Sequence, residues 1–182
     1  MHVVVRRLIT LLVGAGALFP PASTSRAQPC WRPPVPDAEI VDPFRSPTCP
    51  WCAGNRGLEY RVDAPVGVGA VASGSVTFAG RVASVAYVVV ELPSGWRLTY
   101  GRLASIEVAT GDVVLAGRRL GVTGEAFYFG LRIGDTYVDP SPFLGTVVGR
   151  PRLVPTDATP RRAAPPARTV CDRPAPVRSG PR

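Results

Sequence analysis

Residues 68–80 read VGAVASGSVTFAG. The run shows no helical spacing of apolar positions. From Gly74 onward Val76 and Phe78 alternate with smaller or polar residues, the period of a half-buried strand. Working outward, the same pattern recurs in VAYVVVEL (85–92), WRLTYGRL (96–103), DVVLAGRRLGV (112–122), EAFYFGLRI (125–133) and TYVDP (136–140). Turn-forming groups stand between these runs: Pro93-Ser94-Gly95, Thr110-Gly111-Asp112 and Gly134-Asp135. Short strands at such close spacing predict an all-β sandwich or barrel. Alternation places Val76, Phe78, Val88, Val90, Leu98, Tyr100, Val114, Leu120, Phe127 and Phe129 on its buried faces.

Both ends of the 182-residue chain have a different composition. Residues 1–27 combine Arg6 and Arg7, the apolar run LITLLVGAGALF and the small-x-small triplet Ser25-Arg26-Ala27. This order predicts a signal peptide cleaved near Gln28. The apolar run falls well short of the ~20 residues of a spanning helix. The sequence therefore predicts a secreted, extracytoplasmic protein of the cell envelope with no transmembrane segment after cleavage. Residues 150–182 hold eight of the 21 prolines and eight arginines, which predicts a disordered Pro/Arg-rich tail. One β domain remains, residues 28–149, with an extended proline-rich arm over 28–48.

The formal net charge of +8 is carried by the two ends. Residues 28–149 hold ten arginines against eleven carboxylates, so a nucleic-acid groove is not expected in the folded part. Two absences exclude more chemistry than any motif suggests. The chain has no lysine, and its one histidine is His2. Without histidine after cleavage, Ser–His and Cys–His nucleophile pairs are ruled out, as is a metal site built on imidazole. Without lysine, the hairpin GDVVLAGRRLG (111–121) cannot be the cofactor-bearing hairpin of a lipoyl- or biotinyl-type carrier.

The segment CPWCAGNRGLEY (49–60) carries the residue types of a site. A zinc site built from Cys49, Cys52 and Glu59 lacks a fourth ligand and competes with thiol oxidation outside the cytoplasm. A thioredoxin-like role needs the Cys-x-x-Cys pair at a helix N-terminus. Structural disulfides are the expectation, drawn from Cys30, Cys49, Cys52 and Cys171, with three pairings open.

The order of NRGLE (55–59), APVGVGAVASGSVTFAG (64–80), VVVELPSGWRLTYGRL (88–103), VATGDVVLAGRRLG (108–121) and FYFGLRIGDTYVDPSPFLG (127–145) resembles the M23 family of LytM- and lysostaphin-like zinc metallopeptidases, which cut peptide bonds of bacterial peptidoglycan. The resemblance implies a flattened β-sandwich or half-barrel of the duplicated hybrid motif type. It also implies a zinc site of H-x-G-x-D and H-x-H elements, assisted by the first histidine of that pair and by another in a Y-x-H-L segment. Carried over residue by residue, the zinc-ligand positions are Asn55, Glu59 and Tyr128, and the catalytic histidine positions are Arg102 and Ala126. The family site is thus degenerate here, with no catalytic residue intact and no zinc expected.

An ion pair between Arg102 and Glu59 is expected across the altered site. Trp51, Tyr60, Arg102 and Tyr128 are the cleft candidates. The expected role is a non-catalytic pseudopeptidase that binds peptidoglycan or regulates a cell-wall hydrolase. An active metalloendopeptidase with atypical ligands, or a structural envelope protein, stands as the alternative.

Overall fold

The computed structural model describes residues 28–49, 51–63, 65–149, 163 and 166–171. The expected signal peptide and most of the expected tail lie outside the described residues. The elements are strands β1 (Glu39–Asp42), β2 (Leu58–Arg61), β3 (Gly67–Gly69), β4 (Gly74–Val82), β5 (Val85–Glu91), β6 (Trp96–Ile106), β7 (Val113–Val114), β8 (Arg119–Ile133) and β9 (Thr136–Val138). A 3-10 turn (Ser141–Phe143) and strands β10 (Thr146–Val148) and β11 (Arg168–Val170) follow. No described helix is long and apolar enough to cross a membrane.

Nine strands form one antiparallel sheet in the order β1-β2-β8-β6-β5-β4-β7, with β3 and β9 also paired to β8. Side chains from β2, β4, β5, β6 and β8 meet in a single apolar core, so the sheet closes around it as a half-barrel. Two-residue turns hold the register. Ala83 and Ser84 take positive φ between β4 and β5, and Gly134-Asp135 joins β8 to β9. A two-residue hairpin needs such backbone angles to match the strand twist. Tyr100 is wholly buried, and its hydroxyl accepts a hydrogen bond from the Val71 N–H at 3.0 Å.

Nine of the ten residues assigned inward by alternation are buried. Phe78 is the exception, at 37% exposure. Val76 pairs with Val90 and Phe78 with Val89, so Thr77 is an extra residue in β4. A bulge of one residue turns every later side chain to the opposite face.

The arm is tied down at several places. Trp31 stacks on Phe143 at 5.3 Å and meets Trp96 edge-on at 6.1 Å. Its N–H donates to the Phe143 carbonyl, and its carbonyl accepts from the Gly145 N–H. Residues 39–42 of the arm form β1 against β2.

The disulfides pair Cys30 with Cys171 and Cys49 with Cys52. The first ties the start of the arm to the C-terminal segment. That segment departs from the expected disorder over residues 168–170, where β11 pairs with β10. Composition argued against order there, but a strand partner and a covalent tie supply what its few apolar side chains do not.

The loop closed by Cys30–Cys171 spans 141 residues of sequence separation against three for Cys49–Cys52. Chain-entropy arithmetic gives a loss of about 5 kcal/mol for opening the first and about 2 kcal/mol for the second. Guanidinium unfolding of Cys30→Ser/Cys171→Ser and Cys49→Ser/Cys52→Ser variants checks that order.

Candidate functional site

Strand β2 sorts the NRGLEY side chains by its pleat. Leu58 and Tyr60 point into the core, while Glu59 and Arg61 point out. Tyr60, expected in the cleft, is 3% exposed and packs on Phe127 at 5.6 Å. The physical reason is its two-residue offset from Leu58, which puts both on the inner face. Burial, with the negative charge of Asp139, pushes the Tyr60 phenol well above the ordinary tyrosine range.

On the outer face the remaining positions assemble. Glu59 lies opposite Tyr128 of β8, and Tyr128 lies opposite Gly101 of β6. Ala126 sits two residues along the same strand, opposite Arg61. Arg102 reaches this face through a bulge: Tyr87 pairs with Gly101 and Ala86 with Leu103, leaving Arg102 without a partner on β5. Its φ of 60° is left-handed, which costs a side-chain-bearing residue about 1 kcal/mol. The bulge brings Arg102 Nη2 to 2.8 Å from Glu59 Oε1, forming the expected ion pair. Both side chains keep contact with water, at 45% and 26% exposure, so the pair contributes at most about 1 kcal/mol. It occupies the one carboxylate in the matched set.

Asn55 is buried at 6% exposure and its amide is fully engaged. Nδ2 donates to the carbonyls of Asp42 (3.0 Å) and Pro43 (3.1 Å), and Oδ1 accepts from the Gly57 N–H (3.3 Å). Its backbone forms a two-way bridge with Arg45, 2.9 Å each way. Asn55 thus serves as the clasp between the arm and the start of β2.

Tyr128 fills space rather than offering a ligand. A Cβ on Gly57 would lie 2.7 Å from its Cζ, one on Gly130 2.7 Å from its hydroxyl, and one on Gly101 3.2 Å from its Cδ1. Gly57 just before β2, Gly101 of β6 and Gly130 of β8 therefore form the floor beneath the ring. Desolvation is the main cause that pushes its phenol up to about 12, with Tyr137 adding to it. A phenol held protonated is a poor zinc donor.

These residues do not fit the zinc ion of the family. The amide of Asn55 is spent on backbone groups, Glu59 is paired with Arg102, and Tyr128 is protonated. Cys49 and Cys52 are oxidised to a disulfide, so neither offers a thiolate. Among the described residues no three His, Cys, Asp or Glu side chains gather in one place.

Beside the filled position lies an open cleft of about 590 Å³, whose walls include Thr48, Cys49, Arg56, Arg132, Asp135 and Tyr137. The guanidinium carbons of Arg56 and Arg132 each lie 5.6 Å from the Tyr137 ring centroid. Trp51, a cleft candidate from sequence, stands 87% exposed between the two cysteines of the adjoining turn. Arg56 and Arg132 were not among the sequence candidates. The Gly134-Asp135 turn held the signal, since a two-residue hairpin there sets Arg132 opposite Tyr137.

Two outcomes follow from this geometry. Asn55→Ala strands two carbonyls and an N–H, with an expected loss of about 2–3 kcal/mol in chemical unfolding. The raised Tyr128 phenol means that the folded state keeps a proton that the unfolded chain releases above pH ~10. The stability it contributes is present below that pH and is lost as pH rises toward 12. Unfolding curves from pH 9 to 11.5 should fall less steeply for Tyr128→Phe than for the parent protein.

Comparison with known proteins agrees with this architecture. No curated protein matches the sequence. Helicobacter pylori Csd3 superposes with a TM-score of 0.59 at 22% identity, over 66% of this chain and 36% of that one. This chain thus spans little more than a third of that protein's structure. A chain of the SpoIIIAH–SpoIIQ complex matches at TM-score 0.55 and 20% identity, over 62% of this chain and 99% of that one. The catalytic domain of the antimicrobial peptidase lysostaphin from Staphylococcus simulans matches at TM-score 0.50 and 21% identity, over 58% and 91%. Residues 53–140 match the profile of peptidase family M23. That segment is similar to an M23 peptidase domain, and Asn55, Glu59, Arg102, Ala126 and Tyr128 all lie within it.

Proposed function

We propose that this protein is an exported, non-catalytic M23-type module that binds peptidoglycan or docks onto a cell-wall hydrolase. The observation that carries the reading is the commitment of each ligand position to another task. Asn55 clasps the arm, Glu59 holds Arg102, and Tyr128 covers a floor of glycines. A peptidase of this family needs a metal to polarise the scissile carbonyl and to activate water. Export is supported by the oxidised state of all four cysteines, since disulfides persist outside the reducing cytoplasm. The complex of SpoIIQ with SpoIIIAH shows that a similar fold can serve in a protein assembly.

The test joins metal analysis to wall binding. The oxidised protein, dialysed without chelator, is expected to carry zinc far below one ion per chain, to sediment with purified sacculi and to leave them undigested. Stoichiometric zinc together with clearing of the sacculi would restore the active-peptidase reading, with Glu59 as the first ligand to substitute. Zinc-free protein that leaves sacculi unbound would turn attention to a hydrolase partner or to a structural envelope role.

A further inference from the structure

We infer that the groove along the proline-rich arm is a docking site for this chain's own residues 172–182. Two open hollows lie beside the arm and have Pro36 as a common wall. The larger, about 630 Å³, has Cys30, Thr169, Pro33, Pro34, Ala70 and Gly117 among its walls. The smaller, about 310 Å³, is lined in part by Asp37, Glu39, Arg61 and Asp63. Cys30 is bonded to Cys171, with 5.8 Å between their Cα atoms. The chain after Cys171 therefore starts at the wall of the larger hollow.

Residues 172–182 read DRPAPVRSGPR and lie outside the described residues. Their chemistry matches the groove in order along its length. Beside the disulfide the groove offers Arg32, then prolines and small apolar residues, and last three carboxylates against the one guanidinium of Arg61. The segment begins with Asp172 and Arg173, continues through Pro174-Ala175-Pro176-Val177, and then carries only cations, Arg178 and Arg182. The spacing matches as well. Asp37 stands seven positions after Cys30, and Arg178 stands seven positions after Cys171. Seven extended residues span at most ~25 Å. The arm bends at Asp37, whose φ is 60°, so the segment reaches the acidic end with length to spare.

Arg32, Asp37 and Asp63 have no ion-pair partner among the described residues, so docking breaks no existing pair at these positions. Exposed ion pairs are individually weak. The disulfide tether compensates, because it holds the segment beside the groove at an effective concentration on the order of millimolar. Proline also lowers the ordering cost, since such a segment is already close to an extended helix. A docked segment covers the apolar wall and partly neutralises the acidic end. The groove then opens to another molecule only when the segment leaves.

The test follows tryptic cutting between Arg178 and Ser179 in the full oxidised chain. A trace of isotope-labelled synthetic peptide 172–182 in the same digest is the reference, and mass spectrometry reads the initial release of residues 179–182 from each. At low salt the bond in the intact chain is expected to be cut about three- to tenfold more slowly than in the peptide, and the rates converge at high salt. Asp37→Asn/Asp63→Asn and Arg32→Gln each bring the difference below about twofold. All three residues are exposed, and near-ultraviolet circular dichroism identifies a variant that has failed to fold. The salt comparison uses the unaltered chain, so it decides the matter in that event.

Equal rates at low salt overturn the inference. Slow cutting that persists both at high salt and in Asp37→Asn/Asp63→Asn overturns the placement in the groove. Protection that disappears on dilution of the protein assigns the segment to a second copy and overturns the contact within one chain.

Discussion

Strand β8 has two edges, and four other strands must share them. Along one edge β3 pairs with its beginning, β2 with residues 126–129 and β9 with its last three residues, while β6 takes the opposite edge. β8 also parts from β6 midway. The register jumps from Gly101 opposite Tyr128 to Leu103 opposite Thr123, so residues 124–127 leave β6 where β2 enters. The bulge at Arg102 lies at this jump. The outer-face site therefore sits where backbone pairing is reorganised, which is also where side chains from three strands come together.

The same positions are tied to one another by their own side chains. A bound ion cross-links the strands that supply its ligands. Here the links are an amide clasp from Asn55 to the arm, an ion pair from β2 to β6, and the Tyr128 ring laid over Gly57, Gly101 and Gly130. Each is modest alone, and together they span the same elements. Glycine at positions 57, 101 and 130 is a matter of space, because a Cβ there would collide with Tyr128, with Tyr87 or with the backbone behind them.

The arm contributes more than its irregular sequence suggests. Trp31 completes an aromatic cluster with Trp96 and Phe143, and Cys30 carries that anchorage to the C-terminal strand. Residues near Cys30 and near Cys171 are thereby held together. The arm's far end is held by Asn55, so the arm is fixed at both of its ends and β1 is held beside β2 between them.

Much of the molecule follows from sequence alone. Alternation marked the runs that become β4 to β9, although it split β8 in two, and nine of the ten residues it placed inward are buried, because the pleat is a local, two-residue property. The lack of imidazole ligands was equally legible, since a chain whose one histidine is His2 cannot supply them elsewhere. The Arg102–Glu59 pair was also foreseen, through the spacing of motifs shared with a known family. Other features were decided by tertiary structure. The bulge at Thr77 turned Phe78 outward, and the pleat of β2 turned Tyr60 inward. Cysteines separated by 141 residues were paired, and Arg56 was brought to Arg132 across Tyr137. These depend on register between strands distant in sequence, and one extra residue in a strand reverses the facing of all that follow it. Local composition determines that strands form; only their mutual pairing determines which side chains meet.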